Sequence, residues 1–191
     1  MSANVIPHVT PEEYLEGELK AEYKSEYYKG QIYAMAGGST THGQIAANVI
    51  AALVQGLRGT PCSTYTSDVR LRASFEGLYT YPDVMVVCGQ VRYADDKSHT
   101  ITNPTVIIEV LSPSTEAHDR GFKFAQYRKI DSLQEYVLVS QSERRVEKFH
   151  RRGEQWVLSE CVGIEAVCEL ESVNCRIQLA EIYDKVAFES A

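Results

Sequence analysis

No apolar stretch in this chain approaches the roughly 18 residues that a membrane-spanning helix needs. The opening Met1-Ser2-Ala3-Asn4-Val5-Ile6-Pro7 lacks the charged region that begins a secretion signal. Both absences point to a cytoplasmic protein with no membrane partner. Cys-x-x-Cys pairs are also missing. The five cysteines (Cys62, Cys88, Cys161, Cys168 and Cys175) are odd in number, so neither a disulfide framework nor a zinc knuckle is expected. The even spacing of the last three reads as small apolar residues in strands. Basic excess is lacking too: 26 acidic against 19 basic side chains leave a formal charge of −7. That excludes a broad nucleic-acid-binding face but leaves room for a local basic cleft.

What is present is ordinary globular material. With 191 residues, 44% of them hydrophobic and 24% charged, the chain can bury a real core as a single domain spanning 1–191, its core at about 10–185. Thr10-Pro11-Glu12-Glu13 begins a helix reaching about Lys20, with a hydroxyl cap, proline in the first turn and glutamate three residues after the cap. Tyr27 to Met35 reads as a strand pair turning at Gly30. Ser39 or Thr40 caps a helix whose Ile45, Val49, Ala52, Leu53 and Leu57 form one apolar face, ended by Gly59-Thr60-Pro61. A strand is then expected with Val69, Leu71 and Ala73 inward and Asp68, Arg70 and Arg72 outward. Gln90 to Asn103 reads as a polar connection, Glu116 to Ile130 as a helix and Glu135 to Ser140 as a strand. Arg145–His150 and Gln155–Glu160 form a hairpin turning at Arg152-Gly153, and a strand at Cys175–Leu179 precedes a short helix. The alternation of helices and strands implies one α/β domain around a mixed sheet.

Two acids break the apolar pattern. Tyr81-Pro82-Asp83-Val84-Met85-Val86-Val87 is a buried-strand sequence with a carboxylate at its mouth, and Pro104-Thr105-Val106-Ile107-Ile108-Glu109-Val110-Leu111 carries another inside it. Carboxylates are seldom buried without a partner, because stripping their water costs several kcal/mol or more. If the two strands are neighbours, Asp83 and Glu109 converge and can hold a hard divalent cation. Downstream, Lys123 shares a helical stripe with Asp119 and Tyr127. From there it can reach the acids to orient or help deprotonate an attacking water, or to neutralise charge on a phosphate. Glu26 is a further candidate acid.

The segments Tyr81-Pro82-Asp83-Val84, Glu109-Val110-Leu111-Ser112-Pro113-Ser114-Thr115 and Lys123-x-x-x-Tyr127 resemble the Uma family of restriction-endonuclease-like proteins, within the PD-(D/E)xK nuclease superfamily. The likeness extends upstream over Glu26 to Gly37 and His42, and downstream over Glu135 to Val139. It implies a restriction-endonuclease-like α/β fold, a central mixed sheet flanked by helices, and Mg²⁺- or Mn²⁺-dependent phosphodiester hydrolysis, in DNA in preference to RNA. Carried over by position, Asp83 and Glu109 ligate the metal together with the backbone carbonyl of Val110, and Glu26 lies near it. The superfamily places its lysine two residues after the second acid, where this chain has Leu111, so Lys123 is the substitute. His42, Ser112, Ser114 and Arg120 are expected to face nucleic acid, and Arg70, Arg72, Arg128 and Lys129 could extend a phosphate-binding groove. A homodimer is implied by the resemblance alone.

Bland readings stand beside these. Asp83 could cap a turn after Pro82, Glu109 and Lys123 could form a purely structural ion pair, and Lys123 could be a surface lysine paired with Asp119. The different functional class is a catalytically weak or inactive module on the same fold that binds nucleic acid or protein. A core acid pair without any ligand would be stabilised by Glu109→Gln.

Overall fold

The computed structural model describes residues 8–74, 77–95 and 99–188. The opening heptapeptide and part of the expected Gln90–Asn103 connection lie outside the described residues. Among those described, no helix is long and apolar enough to cross a membrane.

Helix α1 (Pro11–Glu18) starts as its sequence implies: Thr10 Oγ1 accepts the Glu13 N–H while Glu13 accepts the Thr10 N–H, a reciprocal cap. Strands β1 (Ser25–Tyr28) and β2 (Gln31–Ala34) form the expected hairpin. Its two turn residues, Lys29 and Gly30, have φ of 45° and 86°, the left-handed pair that a right-twisted hairpin demands. Helix α2 (Thr40–Gly56) is capped by Ser39, whose hydroxyl accepts the His42 N–H, and buries Ile45, Val49 and Leu53.

Six strands make the central sheet in the order β10-β9-β8-β7-β6-β3: Gln155–Val162, Arg145–Arg152, Glu135–Ser140, Val106–Leu111, Val84–Cys88 and Cys62–Thr66. The pair β7–β8 is parallel and its other neighbours are antiparallel, so the sheet is mixed. The β9–β10 hairpin turns after Arg152, as expected, at Gly153 with φ 61°. Strands β4 (Leu71–Arg72) and β5 (Leu78–Thr80) join β1 and β2 in a smaller sheet ordered β2-β1-β5-β4. A separate ribbon pairs β11 (Val167–Leu170) with β12 (Cys175–Gln178), followed by α5 (Leu179–Ile182).

Strands β6 and β7 read as unbroken apolar runs because both faces of the sheet are covered. On one face Val84, Val86, Val106, Ile108 and Val110 pack with α2, α5 and the β11–β12 ribbon. On the other, Met85, Val87, Ile107 and Leu111 pack with Tyr127, Tyr136 and residues of the smaller sheet. Strand parity puts Glu109 on this second face, between Ile107 and Leu111.

Four expectations are corrected. Strand β3 was not anticipated, because Ser63-Thr64-Tyr65-Thr66 shows no alternation of apolar and polar residues and is fixed as a strand by pairing with β6. The Asp68–Ala73 strand shrinks to Leu71–Arg72, and Arg70, expected outward, is buried, holding Thr100 and Tyr81 through hydrogen bonds of 3.1 Å each. The helix expected over 116–130 is composite. It has a short α3 (Glu116–His118), a π-turn (Asp119–Lys123) and α4 (Phe124–Tyr127). Finally, Cys62 and Cys88, 26 residues apart in sequence, are disulfide-bonded. The register Cys62↔Cys88 across β3 and β6 sets them face to face, which no local spacing reveals. Cys168 and Cys175 are buried strand residues as expected, and Cys161 is half-buried.

Candidate active site

Pairing between β6 and β7 stops at Val84↔Ile108. Beyond it the two chains are joined by side chains. Asp83, just before β6, accepts the Val110 N–H at 2.8 Å through Oδ2, and Glu109 accepts the Asp83 N–H at 3.2 Å through Oε2. Each acid is thus positioned by the backbone of the other's strand. An extended residue turns its N–H and C=O to the same edge, so the Val110 carbonyl leaves β7 on the side of Asp83.

The π-turn brings Lys123 to the same point. A backbone bond from the Phe124 N–H to the Asp119 carbonyl widens the helix by one residue, a device frequent at functional sites. Lys123 Nζ lies 3.2 Å from Glu109, 3.2 Å from Asp119 and 3.4 Å from Glu26. Tyr127, one turn on, donates its hydroxyl to Glu109 at 2.8 Å. Glu26, on β1, also accepts from the Thr80 hydroxyl. Asp119 is buried, and its Oδ1 makes the ion contact without a hydrogen bond. From α2, His42 Nε2 approaches Asp83 Oδ1 at 3.0 Å.

The expected residues therefore divide. Asp83, Glu109, Lys123, Glu26, His42 and Val110 meet at one end of a cleft of ≈ 840 Å³, whose wall also includes Ser112 and Ser114. Arg120 does not line it, because its guanidinium is taken up by Glu116 and Glu147. Asp119 and Tyr127 belong to the cluster as well. Their i±4 spacing around Lys123 was the only sequence signal for them, and it could not tell a buried stripe from an exposed one.

Charge at the cluster is uneven. Four carboxylates (Glu26, Asp83, Glu109 and Asp119) face a single ammonium and one imidazole. Burial pushes the Glu109 carboxyl upward, with Asp83 and Asp119 adding to the rise, while the Lys123 ammonium opposes it. Burial alone would lower the Lys123 ammonium, but Glu109, Glu26 and Asp119 outweigh it and hold its pKa well above the usual lysine value. Lys123 is therefore a protonated donor and not a ready base. The hydrogen bond to Asp83 raises His42, more than its own desolvation lowers it.

Among the described residues no three His, Cys, Asp or Glu side chains stand together as a cation cage. A hard cation that keeps most of its waters needs only one or two carboxylates, and this donor set fits one. Asp83 and Glu109 together offer about eight lone-pair sites. Five contacts occupy them: His42, the N–H groups of Val110 and Asp83, Lys123 and Tyr127. Glu26, bound to Lys123 and Thr80, is an ion-pair partner in this arrangement.

A mixed sheet with one carboxylate at the mouth of a strand and another within its antiparallel neighbour, and a lysine delivered from a packed helix, defines a restriction-endonuclease-like α/β protein. Residues 11–180 match the family Uma2, described as "Putative restriction endonuclease", and the chain belongs to that family. It is 38% identical over 185 residues to uncharacterized protein slr1290 of Synechocystis sp., covering 96% of this chain and 95% of that one. It is also 38% identical over 162 residues to uncharacterized protein sll1609 of the same organism, covering 84% and 92%. The fold is that of a crystal structure from Anabaena variabilis, titled a putative nuclease belonging to DUF820. The TM-score is 0.72 and the identity 16%, over 91% of this chain and 98% of that one.

Proposed function

We propose that the protein is an endonuclease that hydrolyses phosphodiester bonds in DNA with the help of Mg²⁺ or Mn²⁺. The observation that carries this reading is the reciprocal tie between Asp83 and Glu109, with Lys123 3.2 Å from Glu109 at the end of an open cleft. Asp83, Glu109 and the Val110 carbonyl would hold the cation. When bound there, it supplies Lewis-acid polarisation of a phosphate oxygen and a water of lowered pKa.

The chain's own groups do the rest. Lys123, charged and fixed by three acids, donates to the attacking water or to charge developing on the phosphate, at no cost of reorganisation during the reaction. Tyr127 and the Asp83 N–H keep Glu109 in place, and His42 fixes the rotamer of Asp83. Ser112 and Ser114, on the turn after β7, offer hydroxyl donors to a neighbouring phosphate. Two such sites acting as a homodimer would cut both strands.

Cleavage of plasmid and oligonucleotide DNA in Mg²⁺ and in Mn²⁺ tests the reading. Asp83→Ala is expected to abolish metal-dependent cleavage, and Lys123→Ala to slow it by about 10²–10⁴-fold. Full cleavage by either purified, folded variant overturns these roles. Binding of DNA without any cleavage by the wild type assigns the chain to the non-catalytic class.

A further inference from the structure

Beside the catalytic cleft lies a second cavity of ≈ 220 Å³, lined by Tyr65, Tyr81, Tyr93, Arg70, Asp68 and His99 among others. Tyr81 lines both spaces. It stands two residues before Asp83, about 7 Å along an extended chain. The small cavity is therefore next door to the site where a phosphate would be attacked.

Its size and lining limit what it can take. A cavity of about 150 Å³ already accepts benzene, whereas sites for drug-sized ligands begin at about 300 Å³. The space thus suits a single heteroaromatic ring system. Three tyrosines line it from three separate elements: Tyr65 from β3, Tyr81 from the approach to β6, and Tyr93 from the Gln90–Asn103 connection. Tyr81 is held rigid, its hydroxyl bonded to Arg70 at 3.1 Å and donated to Glu18. Tyr93 is different: it is 52% exposed, with its ring edge-on to His99 at 6.0 Å. A large aromatic left half in water at the mouth of an aromatic cavity has a surface to offer a flat ligand. Asp68, ionised through its bond to Lys24, and His99 add polar groups at the lining.

We propose that this cavity is a nucleobase subsite, in which a base of the substrate strand stacks against Tyr93 and Tyr65 while a neighbouring phosphate lies at Asp83 and Glu109. It rests on the nuclease reading for its substrate, and it adds a base-dependent contact to a cleft that otherwise addresses phosphate. Stacking of this kind tolerates any base, since each has a π-face, so it strengthens binding without demanding one sequence.

The test compares two single-stranded probes of equal length in Ca²⁺: an ordinary mixed-sequence DNA oligonucleotide, and a base-free deoxyribose-phosphate oligomer. One base–aromatic stack contributes about 1–3 kcal/mol, or roughly 5- to 140-fold in affinity. Wild type is expected to prefer the base-bearing probe by at least the lower bound, about fivefold. Tyr93→Ala and Tyr65→Ala should each erode the preference while binding the base-free probe as wild type does, and Tyr93→Phe should keep it. The unchanged base-free affinity shows that a variant is folded. The proposal is overturned if wild type does not distinguish the probes or does not bind the base-bearing one. It is equally overturned if the tyrosine variants weaken both probes alike. Cleavage by wild type and Asp83→Ala reads the nuclease assignment separately, so either idea can fail without the other.

Discussion

Replacing Lys123 with methionine removes the one ammonium of the candidate active site while keeping the length of the side chain. At an effective dielectric of about 20, each contact at 3.2–3.4 Å is worth roughly 5 kcal/mol of gross attraction, so the three together approach 15. Desolvation of the ions, several kcal/mol apiece, cancels most of that in the intact cluster. It does not cancel in the variant, where Glu109, 2% exposed, and Asp119, also 2%, stay buried without their cation. Breaking a buried pair in this way costs about 3–5 kcal/mol. That is a large share of the 5–15 kcal/mol that holds a typical domain together. Urea unfolding in EDTA measures it, followed by the single tryptophan, Trp156, whose ring lies 5.4 Å from Phe124 on the element that carries Lys123 onward. With a slope of about 2 kcal/mol per molar urea, the midpoint should fall by roughly 1.5–2.5 M. Lys129→Met, an exposed change one and a half turns away, should stay within about 0.5 kcal/mol of wild type. A Lys123→Met midpoint within about 0.5 M of wild type would refute the buried-cluster argument and return Lys123 to the role of a surface lysine.

Cation binding is read without any turnover: Mn²⁺ at a hundred times its dissociation constant should stabilise wild type by about 2.7 kcal/mol in a thermal-shift titration, and Asp83→Ala should show almost none of it. Acid sensitivity has a local source at Glu147. Its hydrogen bond from Arg120 holds the carboxyl below the usual glutamate value. A depressed folded pKa gives stabilisation that is present above the unfolded value, about 4.5, and lost as pH falls through the folded one. Glu147→Gln should therefore be less stable than wild type at pH 7 by about 1 kcal/mol, discounted for the half-exposed Arg120, with the two urea midpoints converging on acidification below about pH 4.5. A constant gap across that range counts against the assignment. For the Cys62–Cys88 bridge, closing 26 residues corresponds to about 3.5 kcal/mol in the chain-entropy account. Cys88→Ser should be less stable than wild type by about that much without reductant and match it with reductant, and a wild-type midpoint that does not move on reduction would show that the bridge contributes no stability.

Local order was largely written along the chain. The capping box at Thr10, the left-handed turn at Lys29-Gly30, the apolar face of α2 and the β9–β10 hairpin all depend on neighbours a few residues away, so short-range patterns identify them. The acids stood out for a related reason. A carboxylate inside Val106–Leu111 contradicts its surroundings, and a contradiction in sequence marks a site where something other than core packing sets the residue. Strand β3 escaped the same logic, and β4 kept only two residues of the expected run, since edge strands are decided by the partner they find more than by their own composition.

The sequence by itself determined that Asp83 would lie at the mouth of one buried strand and Glu109 inside another, that a helix bearing Lys123 would follow, and that Asp119 and Tyr127 would ride on its stripe. Only the tertiary structure decided which way that stripe faces. One extra residue in the π-turn and the packing of the Phe124–Tyr127 turn on the sheet put Lys123 under Glu109 instead of in water. The same is true of the pairing of Cys62 with Cys88, the burial of Arg70 and the three tyrosines of the small cavity. Each depends on contacts between segments far apart in the chain. Such contacts are set by how sheets and helices share one interior, a property no stretch of residues carries alone.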